Sequence, residues 1–221
     1  MRRHNAFRYA GFGALAILLL AMGAALRPAL PTTTSAPKVL SETEIGFIQD
    51  MLAHHTQAML LTQRLDTGAD PFVVGLARQI ADEQRTESGM FLGWLRLAGA
   101  PVTSDRAMAW LPDDLHGQRH SAGQPMPVMP GTVTAAELDQ LSAARGTEAE
   151  IVFLRLMLRH HAGGVDMAAA ADAVLTGGEV ERSAREIVRT QGQEIGLLSL
   201  LLERRGVDPC QDDTMKVSTC R

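Results

Sequence analysis

The sequence predicts an all-α fold, an internally duplicated four-helix bundle behind an N-terminal membrane segment. Three observations carry this expectation. The composition is 46% hydrophobic but only 4% aromatic, dominated by Ala and Leu, with few β-branched runs or hairpin dipeptides, which favours helix packing over sheet. Helix-start signals recur along the chain, each followed by apolar residues at three- and four-residue spacing. Two stretches repeat one another about 106 residues apart. A chain of 221 residues suffices for one domain with a sizeable core.

Residues 1–27 read as a targeting segment. Arg2, Arg3 and Arg8 precede an apolar stretch from Tyr9 to Leu26, closed by Arg27 and Pro28. The positive flank keeps the N-terminus inside and sends the rest across the membrane. The expectation is a membrane-anchored protein with its domain outside the cytoplasm; the alternative is secretion after cleavage near Gly23-Ala24-Ala25. No Cys follows the apolar run, which excludes a lipoprotein anchor. Pro- and Thr-rich residues 28–40 are expected to form an extended tether.

The bundle is expected over 41–206. Ser41 and Glu44 form a capping box that opens a helix running to about Asp66. Asp70 as cap and Pro71 at the first helical position open a second, which runs to Gly99, with Pro101 blocking extension. A connector at about 100–133 is rich in Pro, Gly, His and Met. Thr134 with Glu137 opens a short helix ending near Gly146, and Thr147 with Glu150 opens a third long helix, to Gly177-Gly178. The fourth fills about 179–205 and stops at Gly206. Phe72, Leu76 and Ile80 on the second helix, and Ile187, Ile195 and Leu198 on the fourth, are the expected core stripes. In the tail, 207–221, Cys210 and Cys220 would close a short loop as a disulfide in an exported protein.

Net charge is −4, and the segment before Lys38 holds four Arg and no acid, so the remainder is more acidic still. An acidic domain with scattered Arg lacks the electrostatic footprint of a nucleic-acid binder.

The duplication carries the chemistry. Phe47-Ile-Gln-Asp-Met51-Leu-Ala-His54-His55 matches Phe153-Leu-Arg-Leu-Met157-Leu-Arg-His160-His161 at an offset of 106, and Gln84-Arg-Thr-Glu87 matches Gln191-Gly-Gln-Glu194 at 107. Met51, His55 and Met59 share one helical stripe with His54 beside it; Met157, His160, Gly164 and Met167 share another with His161 beside it. Thioether and imidazole together suit Cu(I), while imidazole alone also suits Cu(II), zinc or iron. Glu87 and Glu194, with Gln84 and Gln191, are placed to act as ligands or as acceptors for imidazole N–H groups. The plain alternative is His–Glu hydrogen bonding with no metal, and most Met at helical spacing are core filler. In the connector, His116, His120, Met126 and Met129 form a weaker candidate set. No Glu-x-x-His occurs on the core helices, and no phosphate loop or nucleophile elbow occurs.

At these residues the sequence resembles the bacterial "domain of unknown function 305" family. FIQDMLAHHTQAM at 47–59, MPVMPG at 126–131, FLRLMLRHHAGGVDMA at 153–168 and QGQEI at 191–195 carry the likeness, which covers about 41–205. The resemblance implies a ferritin-like four-helix fold and, because some exported members are associated with copper, Met51, His54, His55, Met157, His160, His161 and Met167 as copper ligands. Leu61, Phe91 and Leu198 stand where the family often has Met, which speaks against a Met-rich copper store. Three readings follow. The first is an extracytoplasmic protein that sequesters or hands on copper. The second is a ferritin-like enzyme with a redox metal, iron or manganese, held by His and Glu. The third is a metal-free interaction bundle with no cofactor.

Overall fold

The computed structural model describes residues 15–22, 39–112 and 129–209. The chain divides into two units, Met1–Lys38 and Val39–Arg221. In the first, residues 15–22 form a helix, α1, with Leu15, Ile17, Leu18, Leu19, Leu20 and Met22 exposed. Among the described residues no helix is long and apolar enough to cross a membrane. The expected anchor over 9–26 lies mostly outside those residues. Cys210, Cys220, His116, His120 and Met126 lie outside them altogether.

The second unit is all-helical among the described residues: α2 is Glu42–Arg64, α3 Pro71–Ala98, α4 Ala135–Ala143, α5 Gly146–Val174 and α6 Glu179–Glu203. The starts of α2 and α4 are reciprocal capping boxes, Ser41 with Glu44 and Thr134 with Glu137. Leu40, one residue before the Ser41 cap, is buried, and Ile45 packs against the same cluster. This is a hydrophobic staple, so order reaches back into the expected tether. Asp70 caps α3 through the Phe72 N–H, with Pro71 in the first turn.

Two helical hairpins, α2–α3 and α5–α6, meet through α2 and α5, while α4 lies against both of these. α3 and α6 scarcely touch one another. Phe47, Ile48 and Met51, early in α2, share a cluster with Met167, Ala168 and Ala171, late in α5. Ala58 and Leu61, later in α2, share another with Phe153, Leu154 and Met157, early in α5. The two inner helices therefore run antiparallel, and an apolar cluster fills each end of the bundle.

The structure corrects several local expectations. Phe72 is 59% exposed, and Val73 takes the core position. A run of four-residue steps drifts around a helix, so the stripe through Ile80 and Leu76 continues to Val73, three residues back. Thr147 and Glu150 do not cap α5, which starts at Gly146 after Arg145 with no side-chain cap. Glu150 is buried instead, accepting from the Asp70 N–H at 2.8 Å and the Arg205 Nε at 2.6 Å. α5 ends at Val174, short of Gly177-Gly178, because Leu175 turns extended and buries in the cluster of Phe47 and Met167. The start of the connector is anchored. Asp50 accepts the Met108 N–H at 2.6 Å and the Trp110 Nε1–H at 2.9 Å, and Trp110 meets Phe47 edge to face. Burial pushes the Asp50 carboxyl above its ordinary range, against the pull of those two donors.

Candidate functional site

Between the two apolar clusters lies a polar belt. His54, His55, His160 and His161 are all 0% exposed. The antiparallel crossing of α2 and α5 brings the equivalent residues His54 and His160 together, ring centroids 3.7 Å apart and planes tilted by 32°. His55 and His161 point outward to the flanking helices. The His55 Nε2 lies 2.6 Å from Glu87 Oε2 on α3, and the His161 Nε2 lies 2.8 Å from Glu194 Oε2 on α6. One bond is the duplicate of the other.

The inner pair departs from this symmetry. The His54 Nε2 donates to the Pro130 carbonyl at 3.2 Å, and the His160 Nε2 donates to the His54 carbonyl at 3.0 Å. A carbonyl or an ionised carboxylate only accepts, so each of the four rings carries its hydrogen on Nε2. In a neutral ring, Nδ1 then presents a lone pair. All four Nδ1 atoms are buried without a hydrogen-bond partner. Burial pushes the His54 pKa down to about 3, the neighbouring His55 and His161 lower it further, and the Pro130 carbonyl opposes them. Burial likewise holds His160 well below its ordinary value, helped by His54, His161 and His55. The stacked pair is neutral at physiological pH.

Gln84 and Gln191, equivalent residues of α3 and α6, are each 3% exposed, and neither amide oxygen nor nitrogen has a partner. A Cβ at Gly164 would lie 2.3 Å from Gln191 Oε1 and 3.1 Å from His54 Cε1, so the missing side chain makes room for both. Next to it, a Cβ at Gly163 would lie 2.2 Å from the Pro130 carbonyl oxygen. The strap 129–131 therefore rests directly on the α5 backbone. Gly131, at φ 71°, turns it there, and Gln57 Oε1 accepts the Val133 N–H at 3.0 Å. The Pro130 carbonyl leaves no mark in the side-chain pattern, whereas Gly163 does. The signal for Gly163 was a Gly pair inside a helix directly after two His, since helix-interior Gly marks a close approach.

The thioethers are divided among different places in the bundle. Met51 and Met167 are buried in one apolar cluster and Met157 in the other. Met59 is half-buried and belongs to neither. Met129 is half-buried against the cluster of Met51 and Met167. An antiparallel crossing puts equivalent positions on opposite sides of its centre, which is why Met51 and Met157 separate while His54 and His160 meet. Among the described residues no three His, Cys, Asp or Glu side chains converge as a finished cation cage.

The family described as Domain of unknown function (DUF305) matches residues 44–202. A DUF305 protein from Streptomyces coelicolor is 35% identical, at a TM-score of 0.67, over 77% of this chain and 97% of its own. A DUF305 fragment from Deinococcus radiodurans is 33% identical, at 0.60, over 74% and 97%. CopM in its Cu(I)-bound form is 22% identical, at 0.54, over 75% and 99%, which is a likeness of fold. No curated protein matches the chain.

Proposed function

The chain belongs to the DUF305 family, and from that premise we propose that it is an extracytoplasmic protein whose paired His-His helices bind a metal ion, copper first, to sequester it or hand it on. The observation that carries this reading is the set of four fully buried imidazoles, each bonded through Nε2 and each with a bare Nδ1. Leaving a buried polar atom without a partner costs on the order of 1–3 kcal/mol. Four in one belt, with two idle glutamines beside them, make little sense as packing alone. Neutral imidazole nitrogen is a good copper ligand, and a carboxylate or carbonyl behind the other nitrogen fixes the tautomer and raises basicity. Glu87, Glu194, Pro130 and His54 provide those four acceptors. The side chains would re-aim as they take the ion. Met51, Met59, Met157 and Met167 are then flanking thioethers rather than one ligand shell.

CopM, solved in Cu(I)-bound and Cu(II)-bound forms, makes copper the first metal to try. The Streptomyces relative, described as a candidate secreted protein, accords with a domain outside the cytoplasm. The full chain should compete with a chelating probe for Cu(I). Substituting His54→Gln together with His160→Gln should lower its affinity by at least about 100-fold. Substituting Glu87→Gln or Glu194→Gln should lower it by about 10- to 100-fold. Affinity unchanged in the folded His double variant would reject copper at this belt. Iron or manganese in protein taken from the cell envelope would instead favour the redox-metal enzyme.

A further inference from the structure

The four imidazoles are fully buried, so a cation needs a way in. Apolar clusters close both ends of the bundle. On one flank the strap 129–131 lies against the α5 backbone. What remains is the seam between α3 and α6, the two long helices that scarcely pack on one another. A groove of about 490 Å³ opens there, lined by Asp82, Glu83, Thr86, Glu87, Glu186 and Arg189. Its one lining cation, Arg189, is paired with Glu186, and Asp82 is paired with Arg85 outside the groove at 2.5 Å. Glu83 takes the Gln79 amide at 3.0 Å and faces the Glu194 carboxylate at hydrogen-bonding range.

The floor of the groove reaches the belt. The Glu87 side chain is 23% exposed, yet its Oε2 holds the fully buried His55. A second, separate feature points to a ligand. Glu194 is 7% exposed, and its Oε1 has no partner while Oε2 holds His161. On the same two helices the buried amides of Gln84 and Gln191 are wholly unpartnered. The carboxylates crowd one another. Burial pushes the Glu83 carboxyl up and the Gln79 amide opposes, while Glu194 and Glu87 push it further. A small cation resolves that repulsion, whereas an anion or an apolar ligand does not.

We infer that this acidic seam between α3 and α6 is the port through which a metal cation reaches the buried imidazoles, with Glu83 as its steering carboxylate. The inference rests on the metal-binding reading and adds the route and the sign of the ligand. A cleft of one charge sign with low-dielectric walls raises the association rate of an opposite charge, and salt weakens the effect. Glu83 touches no imidazole, so its charge should govern arrival more than final affinity.

The test is stopped-flow quenching of tryptophan fluorescence on mixing the full chain with Cu(II) sulfate. Trp94 lies beside Phe91, which adjoins His55, so quenching that persists when Trp110 is replaced by Phe reports arrival at the belt. At low ionic strength Glu83→Gln should slow association about threefold and Glu83→Lys by more than about tenfold, with bound stoichiometry unchanged. Glu148→Gln, the same charge change on an exposed residue about 18 Å along α5 from His160, should leave the rate alone. Added salt should slow the wild-type protein more than Glu83→Lys. Equal rates in all variants with full copper loading would overturn the port while leaving the metal reading standing. No quenching in the wild-type protein would overturn both.

Discussion

At the residue scale, the position of the hydrogen on each imidazole decides which nitrogen is free to take a cation. The His-His pairs and their Glu partners were legible in the sequence, because equivalent residues recur at a fixed offset and a buried His needs an acceptor. The carbonyl partners were not, since a backbone oxygen leaves no trace in a side-chain pattern. The buried neutral pair has a consequence for stability. His54 and His160 have folded pKa values below the ordinary 6.5. Stability from these groups is therefore complete above pH 6.5 and is lost as pH falls toward the folded values. The copper-free protein should lose up to about 1.4 kcal/mol per pH unit for each of the two between pH 6 and 5. Urea unfolding at stepped pH measures this, and His160→Gln should flatten the slope. A profile level from pH 8 to 5 would mean that the rings are not held neutral.

At the element scale, capping boxes and the Asp-Pro start were readable because they are local chemistry. α2, α3 and α4 begin where those residues stand. The start of α5 departs from its local pattern because Glu150 serves a distant purpose, joining the beginnings of α3 and α5 to the end of α6 through Asp70 and Arg205. No local pattern announces a partner 55 residues away. Removing one member of a buried ion pair costs about 3–5 kcal/mol, so Glu150→Ala should lower the urea midpoint by an amount near the bottom of that range. A shift worth less than about 0.5 kcal/mol, the ordinary surface value, would show the pair to be idle. Two glycines give a matched contrast. Gly75→Ala meets nothing within 4 Å and should stabilise α3 by about 0.5–1 kcal/mol. Gly163→Ala gains the same helix propensity but drives a methyl into the Pro130 carbonyl, and should destabilise by about 1–3 kcal/mol. Two stabilising substitutions in thermal unfolding would show that the strap does not rest on α5.

At the scale of the whole molecule, duplication makes the site. One hairpin alone carries one His-His pair and one Glu bonded to it. Antiparallel packing of two such hairpins stacks His54 on His160, while placing Met51 and Met157 in opposite cores. The repeat was visible in the sequence, but its antiparallel sense was not, so nothing there showed that Met51 and Met157 would part while His54 and His160 meet. The same packing leaves α3 and α6 apart and opens the acidic seam. The central claim is that bare Nδ1 atoms from both hairpins take one cation. Nitrogen-15 NMR of the histidine side chains tests it most directly, since Cu(I) is diamagnetic and the two ring nitrogens are distinguishable. Without metal, all four buried rings should show the Nε2–H tautomer. One equivalent of Cu(I) should move Nδ1 resonances from both α2 and α5 while Nε2 stays protonated. Nδ1–H rings before copper, or shifts confined to residues outside the belt after it, would contradict the account.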